Sequence, residues 1–183
     1  STTNMKFKER FNFWMPNKDK ADFMFVQHMV ASLNNAGRMA VVMPHGVLYR
    51  GGEEKKFREW LVGRGYLEAV IGMPSALFYG KGIGACVLVI NKAGAHERDH
   101  VLFINADREY KEGKNQNKLR PEDLEKIAYT YRHKKETPKY SKLVAKNKAI
   151  DEHNNLENED FNFNIRRFVD NAPPPEPQDV HAH

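Results

Sequence analysis

Residues His96-Glu97-Arg98-Asp99-His100 match the spacing H-E-x-x-H. A helix with that spacing sets two imidazoles on one face around zinc, with a glutamate beside the metal as base. Here the motif falls between a strand ending near Asn91 and another starting near Val101, with Gly94 in the gap. That gap is short for a buried helix, so a charged turn is expected. A second stretch, Gly80-Lys81-Gly82-Ile83-Gly84, has the composition of a phosphate-cradling loop. It is neither a P-loop, because Gly82 stands where Ser or Thr should hold magnesium, nor G-x-G-x-x-G, because position 85 is Ala. Such a bend lets backbone turn sharply or approach a ligand closely. Ser75 lacks the G-x-S-x-G setting of an esterase nucleophile, and Cys86 sits inside an apolar run as a core residue.

Short apolar runs surround these residues. Arg38–Met43, Leu67–Gly72 and Gly84–Asn91 read as strands buried on both faces of an α/β sheet. Two end in Met-Pro, at Met43-Pro44-His45 and Met73-Pro74-Ser75. Open α/β sheets bind ligands beyond the carboxyl ends of their strands, so the site is expected beside these corners, with Pro44 and His45 among its residues. Between the first two strands, residues 53–63 predict a helix burying Phe57, Trp60 and Leu61, which completes a βαβ unit with parallel strands. The link from Pro74 to Gly82 is too short for a helical crossover, so the third strand should run antiparallel to its neighbour.

An earlier helix is predicted over Asp19–Ala36, with Phe23, Val26, Met29 or Val30, and Leu33 on its buried face and Gly37 as its stop. Val101–Asp107 is a further strand candidate. Pro121 opens a third helix with a stripe of Leu124, Ile127, Ala128 and Tyr131. Phe7, Phe11, Phe13 and Trp14 form a dense aromatic group before Pro16, read as an arm packed on the body.

The 183 residues amount to roughly one domain. The single cysteine excludes an internal disulfide and suits a reducing compartment. No apolar run reaches the roughly 18 residues of a membrane span, so a cytoplasmic protein is expected. Charge is uneven. Residues 108–148 hold 13 basic and 6 acidic groups, and residues 149–183 hold 2 and 8. A basic middle suits an anionic partner, with Arg132, Lys134, Lys135, Lys139 and Lys142 offering sequence-independent phosphate contacts. Lys81 and Gly82 are candidates for the same role at the glycine bend. The organisation expected is 1–107 as catalytic-domain portion, 108–170 as a basic helical extension and 171–183 as a proline-rich linker. The start at Ser1 and the linker-like Ala172–Pro177 suggest part of a longer chain.

The order and spacing of these pieces resemble a known family. Ala21-Asp22-Phe23 leads to Gln27-His28-Met29, then Gly37 through Gly46, then Met73-Pro74 with Leu77-Phe78-Tyr79. Ile83-Gly84-Ala85-Cys86, Val101–Ala106 and the closing Asp160–Asp170 follow. This series is similar to the modification subunit of type I restriction-modification systems, adenine-specific DNA methyltransferases that use S-adenosylmethionine. The resemblance implies part of a Rossmann-like methyltransferase sheet, parallel strands plus one antiparallel, with flanking helices and a carboxyl-terminal extension. It implies Phe78 and Tyr79 as walls of a target-base pocket, DNA as substrate, and the specificity and restriction subunits as partners. The family's glycine-rich cofactor loop and its Asn-Pro-Pro-Phe motif have no counterpart here. The chain is therefore expected to be inactive alone, as the second half of a catalytic domain. The alternative is a non-catalytic module that docks nucleic acid or subunits.

Overall fold

A computed structural model describes residues 21–77, 84–146, 155–157 and 161–177. The elements run α1 (Ala21–Ser32), β1 (Arg38–Pro44), α2 (Glu53–Gly63), β2 (Leu67–Gly72), β3 (Ala85–Asn91), β4 (His100–Asn105), α3 (Pro121–His133) and β5 (Ser141–Ala145). The aromatic group at residues 7–14 and the bend carrying Phe78, Tyr79, Lys81 and Gly82 lie outside the described residues.

The five strands form one sheet in the order β1-β3-β2-β4-β5. β3 runs antiparallel to both β1 and β2, and β2 runs parallel to β4. β1, β2 and β4 therefore point the same way although β3 separates the first two. The βαβ expectation holds for direction, while the antiparallel strand lies inside the unit rather than beside it. β5 closes the sheet antiparallel to β4.

β2 and β3 are buried almost throughout, whereas β1 alternates and leaves Val42 39% exposed. This corrects the reading of β1 as buried on both faces. It is an edge strand, paired in the sheet with β3 alone. Residues from alternate strand positions sort into two clusters. Val70, Leu88, Ile90 and Phe103 pack with Val26 and Val30 of α1, Phe57 and Leu61 of α2, and Phe163, Ile165 and Phe168 near the carboxyl end. Ala69, Ile71, Val89, Leu102 and Ile104 meet Ile127 and Tyr131 of α3, together with Tyr140. The sheet is the middle of three layers.

One helix face departs from its sequence stripe. In α3, Leu124 is half exposed, while Asp123, Ile127 and Thr130 turn inward. Asp123 is drawn in because its carboxylate accepts from the backbone N–H and guanidinium of Arg120, closing a capping box at 2.9 Å. In α1 the inward residue is Val30, and Met29 is exposed. Residues 108–170, expected to be helical and irregular, also supply strand β5 and buried apolar side chains that include Leu156, Phe163, Ile165, Phe168 and Val169.

Between α2 and β2 the chain reverses at Gly65, with φ +70°. A Cβ placed there would lie 2.0 Å from the carbonyl oxygen of Ala95. Gly65→Ala therefore meets both a strained backbone region and a rigid clash. The expected loss is about 2–4 kcal/mol of folding free energy, read by denaturant unfolding.

Candidate functional site

The shared direction of β1, β2 and β4 brings their carboxyl ends to one rim. Three backbone bonds weld it. His45 donates to Gly84 O at 3.1 Å, Met73 to Ala85 O at 3.0 Å, and Ala106 to Gly72 O at 2.9 Å. Both Met-Pro corners thus meet the returning end of the glycine bend. A cleft of about 700 Å³ opens there, lined by His45, Tyr49, Met73, Ser75, Gly84, Asp107, Arg108, Tyr110 and Arg166.

Each wall is fixed from elsewhere in the fold. After β1 the chain makes a 3-10 turn, His45–Leu48, where the sequence suggested an open loop. Arg58 of α2, itself buried, donates to Val47 O at 2.8 Å and to Phe161 O at 2.7 Å. Phe163 N–H donates to Leu48 O at 2.7 Å. One guanidinium thus joins the turn after β1 to the closing segment. At the far wall, Asn105 donates to Val169 O at 3.0 Å, and Arg166 pairs with Asp107 at 3.1 Å. The second oxygen of Asp107 accepts from Asn171. The floor beyond β2 is pinned by the loop 111–118, where Asn117 donates to the carbonyl oxygens of Ala76 and Ser75 at 3.1 and 2.9 Å.

His45 is held below the usual imidazole range. Burial is the main cause, the Arg166 cation adds to it, and the Asp107 carboxylate pulls the other way. A neutral imidazole offers one donor and one acceptor. With two guanidinium groups, two phenols and the Ser75 hydroxyl, the lining suits the hydrogen-bonding edge of a flat heterocycle and an adjacent anion. Cys86 is buried inside β3, and its thiol is pushed up to about 12 by burial. His96 lies in a 3-10 turn and His100 opens β4, so the H-E-x-x-H residues occupy two elements instead of one helix face.

Of the residues singled out from sequence, His45 lines the cleft, and Pro44 ends β1 opposite Ala85. Lys134 is engaged elsewhere. Its ammonium meets Glu68 at 3.1 Å and lies 3.6 Å from the centre of the Tyr131 ring. Glu68 sits at the amino end of β2, roughly 13 Å of strand before Gly72. Arg132 pairs with Glu125 at 3.1 Å, the Lys135 ammonium lies over Tyr129, and Lys139 is exposed in a turn before β5. Asp107, Arg108, Tyr110 and Arg166 are site residues the sequence did not single out. Asp107 and Arg166 are 59 positions apart, and only the fold brings them together.

A chain with this sheet and this cleft belongs to the N-6 DNA methylase family, whose model matches residues 1–176. It is 34% identical over 97% of its length to the type I restriction enzyme MjaVIII methylase subunit of Methanocaldococcus jannaschii. It is 30% identical, again over 97%, to the MpnII methylase subunit of Mycoplasma pneumoniae. A solved type I restriction-modification methyltransferase subunit from Streptococcus thermophilus superposes with a TM-score of 0.79 at 33% identity, covering 91% of this chain. The chain spans 29% and 31% of the two curated relatives and 34% of that solved chain.

The Glu68 network carries a pH dependence. Its carboxylate accepts from Tyr131, from Asn91 at 2.5 Å, from Arg98 at 3.1 Å and from Lys134. Burial raises its pKa, but the bonds from Tyr131, Asn91 and Lys134 outweigh it and leave Glu68 below the ordinary value of 4.5. Lys134 also falls below its ordinary value, because its own desolvation outweighs a carboxylate shared among four donors. A depressed carboxylate stabilises the fold above its unfolded pKa and loses that contribution as pH falls through the folded one. Stability should therefore decline on acidification below about pH 4.5, the ordinary glutamate value. Glu68→Gln should flatten that decline and cost about 3 kcal/mol at neutral pH, since Arg98 and Lys134 lose their acid. Denaturant melts at several pH values read both effects.

Proposed function

We propose that this chain forms the target-base side of an adenine-specific DNA methyltransferase subunit in a type I restriction-modification system. The observation that carries the reading is the convergence of His45, Met73, Ser75, Asp107 and Arg166 on one cleft at the carboxyl rim. Methylating the exocyclic amine requires the adenine to leave the base stack, at a cost of a few kcal/mol. A polar cleft with aromatic edges can offset part of that cost, since stacking on one aromatic side chain contributes about 1–3 kcal/mol. Tyr49 and Tyr110 stand at the cleft, and Phe78 and Tyr79 belong to the bend that leads into Gly84, a residue of the cleft lining. In this reading Pro44 and His45 hold one edge of the base, and Lys81 and Gly82 approach the strand. Arg132, Lys135 and Lys139 contribute phosphate contacts that fix register without reading sequence.

S-adenosylmethionine, which supplies the methyl group in this reading, is poorly matched to the described lining. The only carboxylate there, Asp107, has both oxygens engaged by Arg166 and Asn171. It is not free to take a ribose hydroxyl, the usual role of an acid at a nucleotide-type site. In this reading cofactor binding falls to the remaining portion of such a subunit. This chain's part is to hold the base, orient the amine and exclude water. The partners in this reading are DNA and the specificity and restriction subunits of the same system, in the cytoplasm. Among the described residues, no helix is long and apolar enough to cross a membrane.

Mixing experiments test this. The chain alone should transfer no labelled methyl group to duplex DNA. Adding the remaining portion of a methylase subunit should restore transfer to adenine, and His45→Ala should reduce that transfer at least tenfold, given that misplacing the reacting groups by about 1 Å can cost on the order of a hundredfold. Transfer by the isolated chain contradicts the proposal. DNA or subunit binding without restored transfer favours a docking module instead.

A further inference from the structure

Of the two arginines that line the cleft, only Arg166 has an acidic partner among the described residues. Most described basic side chains near acids are matched. Arg120 holds Asp123, Lys126 holds Glu109, Arg132 holds Glu125, and Arg98 and Lys134 share Glu68. In the cleft itself, Arg166 is fixed by Asp107. Arg108 follows that aspartate in a tight turn closed by the Glu109 N–H donating to Ala106 O at 3.2 Å. The turn sends the Asp107 carboxylate toward the closing segment and leaves Arg108 exposed along the cleft. Both carboxylates beside it in sequence are already engaged, Asp107 by Arg166 and Asn171, Glu109 by Lys126. Arg108 makes no ion pair or hydrogen bond among the described residues. Its guanidinium is therefore neither neutralised nor held, at the mouth of a polar hollow beside the Tyr110 and Ser75 side chains.

A guanidinium fork matches the paired oxygens of a phosphodiester. An everted nucleotide carries such a group on each side of its sugar, and with the base in the cleft one of them must lie at the mouth. We propose that Arg108 grips a backbone phosphodiester flanking the everted adenine, and that the Asp107–Arg166 pair keeps the second cation facing inward toward the base. The assignment rests on the functional reading above and adds a specific substrate contact to it. It also separates two kinds of basic residue. Arg108 acts at the target nucleotide, whereas Arg132 and Lys135 act on the surrounding duplex.

The test uses the chain reconstituted with the remaining portion of a methylase subunit, a fluorescently labelled duplex containing the recognition site, and anisotropy titrations at several salt concentrations. Arg108→Ala should weaken binding about five- to tenfold near 0.1 M salt and flatten the plot of log K against log salt by about one. Arg108→Lys should restore the slope, because it keeps the charge. Arg108→Ala should show its methylation defect mainly as a higher DNA concentration for half-maximal rate and less in the turnover rate. Its thermal melt should coincide with that of the wild type, because Arg108 is exposed and supports no other residue. Unchanged affinity and slope in Arg108→Ala, in a reconstituted protein whose wild type methylates DNA, overturns the assignment and leaves the functional reading standing. Loss of binding to the specificity subunit with an unchanged DNA slope also overturns it, since Arg108 would then be a subunit contact. A wild-type complex that neither binds nor methylates DNA overturns both.

Discussion

The placement of β3 sets the geometry of this molecule. The nine residues from Pro74 to Gly82 are too few for a helical crossover, and the returning strand runs antiparallel. It returns between β1 and β2, pairing Leu88 with Val41 on one side and with Val70 on the other. β1, β2 and β4 consequently keep one direction, and their carboxyl ends share a rim. A β3 placed outside β2 would displace β4 and separate Met73 from Ala106. The cleft exists because the antiparallel strand is inside.

The rim alone would be a shallow edge. Depth comes from the closing segment, residues 161–171, which crosses the sheet face and returns to the strand ends. Phe163 and Phe168 pack on Phe103, with the Phe168 ring centre 4.7 Å from that of Phe103. The sheet accommodates Ile165 at Gly72, where a Cβ would lie 2.8 Å from the Ile165 Cδ1 atom. Arg58 then satisfies carbonyl oxygens from both walls at once. A buried cation bonded to backbone carbonyls is costly to desolvate and correspondingly specific in geometry. Its bonds hold the two walls in one relative position, as a preorganised binding site requires.

Much of this fold was legible in the sequence. Helix α2 and strand β2 begin and end where glycine stops and apolar runs place them. The Met-Pro corners pointed to the rim that carries the cleft. Strand β5 was hidden because Lys139, Lys142 and Lys146 interleave with Tyr140, Leu143 and Val144, so the run reads as a basic extension rather than a strand. The exposure of β1 was also illegible, since an apolar run does not report what lies beside it. Glu68 is an acid within the buried strand β2. A register shift between Leu67 and Ala69 reorients it toward Tyr131, Arg98 and Lys134, which no local pattern reveals. The Asp107–Arg166 pair and the Arg58 bridge depend on contacts 59 and 103 positions apart. Side-chain type and spacing carry no information about such pairings until the sheet order is known.

The central claim is that the rim formed by β1, β2 and β4 receives the target adenine. Photocrosslinking tests it most directly, using the reconstituted protein and a duplex with 8-azidoadenine at the target position. The account predicts adducts confined to the cleft lining, at His45, Met73 or Tyr110. Adducts at Tyr131 or Lys134, on the opposite end of the sheet, would contradict it.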